Sequence, residues 1–144
     1  MANKIWTYDD GGRSQYYKAS SVGDCVTRAI AIATQMDYKE TYKMVSKYVK
    51  EYPKTSSVSA RNGVPRKLCY TIMEDLGWTW HPTMKFGSGC KVHLKADELP
   101  SGRIICNCSK HLTAVIDGVI HDTYDPSREG TRCVYGYWYK EGGK

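Results

Sequence analysis

The segment that most restricts the fold of this chain is a β-hairpin pattern around residue 117. Two β-rich runs, residues 112–116 and 119–123, flank the dipeptide Asp117-Gly118. An Asp-Gly pair between two such runs is among the strongest sequence signals for a two-residue turn, because both turn residues must adopt positive φ. We therefore expect two antiparallel strands joined at this dipeptide.

A two-residue turn also sets which side chains share a face of the hairpin. Residue 113 would pair with residue 122, and side chains alternate along each strand. His111, Thr113 and Asp122 would then point to one side, whereas His121 would face away. A carboxylate beside one imidazole nitrogen fixes the orientation of the ring, which is its role in a catalytic triad. This prediction depends on the length of the turn.

Other strands are expected on either side of the hairpin. Residues 103–108 follow a Pro-Ser-Gly turn, and residues 133–139 are rich in aromatic and β-branched side chains. Both runs are typical of β-strands. The second half of the chain is therefore predicted to form a small antiparallel sheet.

The first half of the chain has helical periodicity instead. Residues 25–35 are apolar on most sides, which is typical of a buried central helix, and Asp24 is a candidate N-cap. Residues 38–51 carry an amphipathic stripe that predicts a second helix. A third helix is expected to have Pro65 at its first position and Gly77 as its C-terminal cap.

This order of elements predicts one α+β domain over residues 1–144, with a helical half packed on the sheet through its buried helix. A length of 144 residues suits a single core. Residues 1–20 are polar and contain glycine, so they are expected to form an extended N-terminal arm. A cleft is expected between the two halves.

Cys25 lies where the buried helix is expected to begin. The partial positive charge of a helix N-terminus favours a thiolate, and so does a nearby protonated histidine. Cys25, His111 and Asp122 are therefore a candidate nucleophile, general base and orienting carboxylate. Asp125, just past the hairpin, is the alternative carboxylate. A cysteine at such a position can also be no more than a small buried side chain.

This order of residues resembles the papain-like cysteine peptidase superfamily. The segments GDCVTRAIAIAT and HLTAVIDGVIHDTYDP look like those of small uncharacterised papain-like proteins of phages and bacteria. The resemblance implies hydrolysis of a peptide or isopeptide bond of a protein substrate, without metal or organic cofactor. It gives the orienting role to Asp122 and places Tyr124 as the flanking aromatic. The leader-peptide-processing cysteine peptidases are also similar, and they select Asp125 instead.

One position departs from the pattern of this family. The family usually has a glutamine about six residues before the nucleophile, as an oxyanion donor, but residue 19 is Ala. Gln15 is the first candidate to replace it, with Ser20 and Ser21 next, and the backbone N–H of Cys25 supplies the other donor. The departure leaves open a catalytically weak or inactive protein that uses the cleft to bind a protein partner.

Arg28 is assigned to the same cleft. It lies one helical turn after Cys25, so both side chains are expected on one side of the helix. We expect its guanidinium to pair with a carboxylate such as Asp24 or to line the cleft. The two roles are not distinguished by the sequence.

Zinc binding is a further alternative. A structural zinc site usually has Cys-x₂₋₄-Cys spacing, and the Cys-x-Cys pair of this chain is tighter and would share one face of a strand. Small apolar side chains of the sheet are therefore the favoured interpretation. The possible ligands are Cys106, Cys108, His111, His121 and Cys133.

Nucleic-acid binding has little support in the sequence. The net charge is +6, but the basic residues are scattered and form no run. Trp78 and Trp80 could stack on bases, although they could equally cover the end of the third helix.

No membrane association is predicted, because no apolar stretch is long enough to span a bilayer. The N-terminus has no apolar signal segment either. These features predict a cytoplasmic protein of a bacterium or of a phage-infected cell. The six cysteines are then expected to be free thiols.

Overall fold

The computed structural model describes residues 6–12, 14, 25–51, 66–84, 89–108 and 111–140. Within these residues the helices are α1 (Cys25–Thr34), α2 (Tyr38–Glu51) and α3 (Arg66–Asp75). The strands are β1 (Trp6–Tyr8), β2 (Thr79–Pro82), β3 (Val92–His93), β4 (Arg103–Cys108), β5 (His111–Ile116), β6 (Val119–Asp122), β7 (Cys133–Val134) and β8 (Gly136–Tyr139). This mixture of helices and strands confirms the predicted α+β class.

Helix α1 is buried along almost its whole length, as its composition predicts. All residues from Val26 to Ala33 are buried. The helix ends where Gln35 adopts φ 61°, and the Met36 N–H then donates a hydrogen bond of 3.1 Å to the Ala31 carbonyl. These bonds satisfy carbonyls that the helix end would otherwise leave unpaired. Helix α1 packs on β5, which brings its first residue to the sheet.

Helices α2 and α3 follow the predicted pattern where the structure describes them. Helix α2 has the predicted bounds. Helix α3 ends at Asp75, and Gly77, with φ 89°, lies at the predicted C-terminal cap. The Trp78 N–H donates a hydrogen bond of 3.0 Å to the Met73 carbonyl. Pro65, the predicted first residue of this helix, lies outside the described residues. None of the helices in the described ranges is both long and apolar enough to cross a bilayer.

Six strands form one sheet in the order β1-β6-β5-β4-β8-β2. Strand β1 runs parallel to β6, and the other neighbours are antiparallel. Strands β3 and β7 form a separate antiparallel pair. The prediction of an antiparallel sheet is therefore wrong at one edge, because residues 6–8 of the predicted N-terminal arm pair with β6 in parallel.

The hairpin of β5 and β6 has the predicted turn and register. Asp117 and Gly118 have φ of 50° and 84°, the positive values that a two-residue type I′ turn requires. Ile116 pairs with Val119 across the turn. Strand β5 begins one residue earlier than predicted, and β6 ends one residue earlier. The prediction that His111, Thr113 and Asp122 lie on one face of the hairpin is therefore confirmed by this register.

The sheet separates two hydrophobic clusters. On β4, Ile105 packs with the helices in the first cluster, while Ile104, Cys106 and Cys108 lie in the second cluster on the opposite face. This is the two-residue alternation of a strand that is covered on both sides. The helices cover one face, and residues 92–99 with β7 cover the other.

Two features of the strands differ from the prediction. The predicted strand at 133–139 is divided into β7 and β8. Tyr135 lies between them, and its N–H donates a hydrogen bond of 2.8 Å to the Asn107 carbonyl on β4. Strand β2 lies at the edge of the main sheet and has mostly exposed residues. The sequence pattern does not predict β2 or β3, since neither has the apolar alternation of a half-buried strand.

Cys90 and Cys133 form a disulfide. The prediction of six free thiols is therefore wrong for this pair. The β3–β7 pair brings the two together, because His93 is the register partner of Cys133 and Cys90 lies three residues before it. The other four cysteines, Cys25, Cys69, Cys106 and Cys108, form no disulfide.

Candidate active site

Cys25 is the first residue of α1, and its thiol is hydrogen-bonded to two groups of β5. One partner is the imidazole of His111, and the other is the backbone N–H of Leu112. Cys25 itself is partly exposed, whereas the helix residues that follow it are buried. The structure therefore brings the predicted nucleophile and the predicted base together, with the sulfur at the border between protein and solvent.

His111, the first residue of β5, lies between Cys25 and Asp122. Its Nε2 atom is 2.7 Å from Oδ2 of Asp122. Because Nε2 is engaged there, Nδ1 is the ring nitrogen left to face the thiol. The residue is only 9% exposed, so the ring is held by its partners within the protein. A neutral His111 that donates from Nε2 to the carboxylate would have Nδ1 free to accept the thiol proton.

Asp122, the last residue of β6, accepts hydrogen bonds on both carboxylate oxygens. Besides the imidazole, Oδ2 accepts from Oγ1 of Thr113 at 2.7 Å. Oδ1 accepts from the Thr123 N–H at 2.7 Å and lies 3.3 Å from Nη2 of Arg28. Asp122 is 3% exposed, and a carboxylate so deeply buried stays ionised only with such partners.

The electrostatics of Cys25 favour its thiolate. Burial raises the pKa of the thiol, because a desolvated anion is costly. The hydrogen bonds from His111 and the Leu112 N–H and the positive charges of His111 and Arg28 act against burial and outweigh it. The pKa of Cys25 is therefore lowered from its ordinary value.

The two partners of the thiol are shifted in the matching directions. Burial lowers the pKa of His111, but hydrogen bonds with Asp122 and Cys25 and their charges raise it overall to about 8. Burial raises the pKa of Asp122, and its bonds with His111, Thr113 and the Thr123 N–H more than offset this, so the pKa is lowered. These shifts favour the thiolate of Cys25, the imidazolium of His111 and the carboxylate of Asp122 side by side.

Tyr124 and Asp125 occupy different places relative to the imidazole. The ring centroid of Tyr124 is 5.4 Å from that of His111, and the residue is 47% exposed. Oδ1 of Asp125 instead accepts the N–H of Ser127 at 3.0 Å and stabilises the turn that follows β6. The carboxylate against His111 is therefore Asp122 and not Asp125.

The predicted oxyanion donors lie outside the described residues. This holds for the side chains of Gln15, Ser20 and Ser21, and also for the predicted N-cap Asp24. Their assignments stay predictions. The backbone N–H of Cys25 belongs to the first turn of α1, whose N–H groups have no partner within the helix.

Two polar contacts of the site were not predicted. Arg28 was assigned to the cleft, but no pattern in the sequence connects it to Asp122, which is 94 residues away in the chain. Thr113 was placed on the same face as His111 and Asp122 and was given no role. Its hydroxyl could have been recognised from that shared face, because a buried carboxylate needs more than one donor.

The residues considered for zinc are engaged elsewhere. Cys106 and Cys108 are packed in the second hydrophobic cluster, and burial raises the pKa of both thiols, that of Cys108 to about 11. His121 Nδ1 is 3.0 Å from Oδ2 of Asp9, and Cys133 is in the disulfide. In the part of the chain that the structure describes, no group of three or more His, Cys, Asp and Glu side chains is placed to hold a metal ion.

The two tryptophans considered for base stacking pack against the protein itself. Trp78 is 7% exposed and belongs to the first hydrophobic cluster beside α3. The Trp80 ring lies 5.1 Å from that of Tyr70 and 5.3 Å from that of Trp138. Trp78 therefore covers α3, as the alternative interpretation expected.

Two cavities of about 350 and 430 Å³ lie away from this site. They share Arg103 and Lys140 among their lining residues, and neither is lined by Cys25, His111 or Asp122. The nucleophile therefore opens onto the surface at a different place from these cavities.

No known protein family, curated protein or solved structure matches this chain. These comparisons therefore give no indication of what the protein does.

Proposed function

We propose that this protein is a papain-like thiol hydrolase that cleaves a peptide or isopeptide bond through Cys25, His111 and Asp122. The observation that carries the proposal is the continuous hydrogen-bonded chain from thiol to imidazole to carboxylate. The opposite shifts in the pKa of Cys25 and His111 support it, since a lowered pKa of the thiol and a raised pKa of the imidazole favour an ion pair between them. A nucleophile, a base and an orienting group in contact are the minimum that acyl transfer requires.

In the acylation step, the Cys25 thiolate attacks the carbonyl carbon of the scissile bond. A carbon–sulfur bond forms, and the carbonyl electrons move to the oxygen. When the carbonyl re-forms, the carbon–nitrogen bond breaks and the proton on His111 passes to the leaving amine. The products of this step are a thioester on Cys25, a neutral imidazole and a free amine.

Water completes the reaction in the deacylation step. The oxygen of a water molecule attacks the thioester carbon while His111 takes one proton from that water. The carbon–sulfur bond then breaks, and the acid product leaves with the thiolate restored beside an imidazolium. Asp122 holds the imidazole in position throughout and stabilises its positive charge. No metal or organic cofactor takes part in these steps.

The oxyanion that forms in both steps lies next to the start of α1. The backbone N–H of Cys25 is the proposed first donor, and the positive end of the helix adds to its effect. Gln15, Ser20 and Ser21 are the proposed second donors. Loss of one such donor typically costs about 10²–10³ in rate.

A papain-like fold is part of the proposal. In its favour are the nucleophile at the start of a buried helix and the base at the start of a strand, with the carboxylate on the next strand. The Ala19 departure from the family pattern stands against full activity. The parallel edge strand β1 differs from the antiparallel sheet that was expected for such a fold.

The second candidate is a catalytically weak or inactive papain-like protein that binds a protein partner. The observation in its favour is Ala19 where the family usually has an oxyanion donor. A cytoplasmic location in a bacterial or phage-infected cell remains a prediction for both candidates. The Cys90–Cys133 disulfide counts against a strongly reducing compartment.

An active-site probe tests the proposal directly. A peptide that carries a thiol-reactive acyl-enzyme mimic should label the wild-type protein at Cys25, because this thiol alone combines partial exposure with a lowered pKa among the free cysteines. Cys25→Ala should abolish labelling. Cys69→Ala is the matched control, since Cys69 is buried in the core and its loss should leave labelling intact.

The outcomes separate the two candidates. Equal labelling of Cys25→Ala would exclude Cys25 as the reactive thiol. Labelling at Cys25 together with turnover of fluorogenic peptide or isopeptide substrates supports the hydrolase. Labelling with no turnover across such a panel, in a protein that binds a partner, supports the binding protein.

A further inference from the structure

Arg28 is an unusual residue to find inside α1. It is 6% exposed, in a helix whose other buried residues are small or apolar. A buried guanidinium carries its positive charge into a region with little water, and this is costly unless a negative group lies close by. Its position one turn after Cys25 places that charge next to the candidate nucleophile.

The guanidinium lies against one particular oxygen of Asp122. Nη2 of Arg28 is 3.3 Å from Oδ1, while Oδ2 is the oxygen bonded to His111 at 2.7 Å. The donors are therefore divided between the two oxygens, and a rotation of the carboxylate would break bonds on both sides. Arg28 thus links the helix that carries Cys25 to the strand that carries Asp122.

The charges of the four side chains also balance. With Cys25 as thiolate and His111 as imidazolium, Asp122 and Cys25 contribute two negative charges, and His111 and Arg28 contribute two positive ones. Without Arg28, the same protonation states would leave one uncompensated negative charge in a mostly buried cluster. The burial of such a charge disfavours the anion that is most easily protonated, which is the thiolate.

We propose that Arg28 is a positioning residue of this site: it orients Oδ2 of Asp122 toward His111 and supplies the positive charge that balances the buried cluster when Cys25 is a thiolate. The inference rests on the proposed function and deepens it, because it explains how a buried carboxylate can orient the imidazole without opposing the thiolate. The lowered pKa of Cys25, to which the charge of Arg28 contributes, supports it.

Two other charged groups on β6 and its flanking segments have hydrogen-bond partners of their own. On β6 and the segment after β1, His121 is bonded to Asp9 at 3.0 Å. Beyond β6, Asp125 is engaged with the Ser127 N–H. Among the residues that the structure describes, the charges that act on the thiol are those of Arg28 on α1 and His111 on β5, and Asp122 on β6 lies behind the imidazole.

The test is the pH dependence of iodoacetamide alkylation at Cys25, measured in the full-length, disulfide-bonded protein by mass spectrometry of the peptide that contains it. Arg28→Gln keeps an amide donor for Oδ1 but removes the charge. Arg28→Lys keeps the charge but loses the planar guanidinium. The midpoint of the alkylation profile should rise by about one pH unit in Arg28→Gln, which is about a tenfold loss of rate below the midpoint. Arg28→Lys should stay within about half a unit of wild type.

The outcomes for Arg28 and for the proposed function can be told apart. A wild-type midpoint at the ordinary value of a free thiol would count against the reactive Cys25 itself. A lowered wild-type midpoint that is unchanged in folded Arg28→Gln would overturn the role of Arg28 alone, and would leave it a structural ion pair. If circular dichroism shows that Arg28→Gln does not fold, the test rests on Arg28→Lys. A rise of one full pH unit in the alkylation midpoint of the folded lysine variant would refute the charge balance.

Discussion

His111 is held between two partners of opposite function, a thiol that gives up a proton and a carboxylate that does not. Burial alone would lower the pKa of the imidazole, because the charged ring loses its hydration. The hydrogen bonds and negative charges of Asp122 and Cys25 outweigh burial and raise the pKa to about 8. The imidazolium is therefore the form that predominates at neutral pH. It is the form that can donate a proton to a leaving amine.

The rate of hydrolysis should consequently fall as the pH rises through about 8, since His111 then loses the proton that the leaving amine needs. Asp122→Asn removes the negative charge that holds this proton, so the fall should begin at a lower pH. The rate at pH 7 should also drop, by on the order of 10²–10⁴-fold, because the amide no longer supports the imidazolium. The measurement is kcat/KM against pH for both proteins.

Asp125→Asn is the matched control for this carboxylate. Asp125 accepts the Ser127 N–H, and an asparagine oxygen can accept the same bond. Its pH profile and rate should therefore match wild type. A larger loss in Asp125→Asn than in Asp122→Asn would show that the orienting role belongs to the later carboxylate.

The β5–β6 hairpin is the element that assembles the base and its orienting group. His111 begins one strand and Asp122 ends the other, so both lie at the end of the hairpin away from the turn. The turn nevertheless controls them, because a slip of one residue would move Asp122 to the opposite face. Gly118 has φ 84° and lies against Ala96 of the short 3₁₀ turn before β4.

Gly118→Ala should destabilise the protein by about 1–3 kcal/mol, the usual cost of a side chain in a strained backbone region. The added Cβ would also stand 2.9 Å from the Cβ of Ala96, so one of the two segments must shift. Urea unfolding measures the change in free energy.

Asp117→Asn in the same turn is the control. Asparagine tolerates positive φ, and its oxygen can still accept the Gly102 N–H that Asp117 binds at 2.7 Å. Its stability should stay close to wild type. An unfolding free energy of Gly118→Ala equal to that of wild type would show that the turn does not set the register.

The molecule as a whole is held by two clusters on opposite faces of the sheet and by one disulfide. The helices bury the first cluster, which includes the fully buried Trp138, against the sheet. The Cys90–Cys133 bond, with a sequence separation of 43, encloses β4, β5 and β6. The segment that carries both His111 and Asp122 therefore lies inside the loop that the disulfide closes.

Reduction of this disulfide should lower the free energy of unfolding by about 4 kcal/mol on the chain-entropy account, because the open loop gains freedom mainly in the unfolded chain. The comparison is urea unfolding with and without dithiothreitol. A Cys90→Ser/Cys133→Ser variant should have the stability of the reduced wild-type protein, both with and without dithiothreitol. If this variant responded to dithiothreitol as wild type does, the effect would belong to other thiols.

Much of the local structure could be predicted from the chain alone. The backbone freedom of a few adjacent residues and the spacing of apolar side chains set the Asp117-Gly118 turn and the register of its strands. They also set the bounds of α2 and the Gly77 cap that follows α3. These are short-range effects, so they are visible in the sequence. The same local parity predicted that His111 and Asp122 share a face.

The contacts between distant segments depended on the packing of the whole chain. Neither the parallel pairing of β1 with β6 nor the Cys90–Cys133 bond could be predicted, and the same is true of the ion pair of Arg28 with Asp122. A short edge strand, a cysteine or a buried arginine has many possible partners of similar local energy. Which partner it meets is decided by how the helices and the sheet bury their apolar faces together, and that is a property of the complete fold.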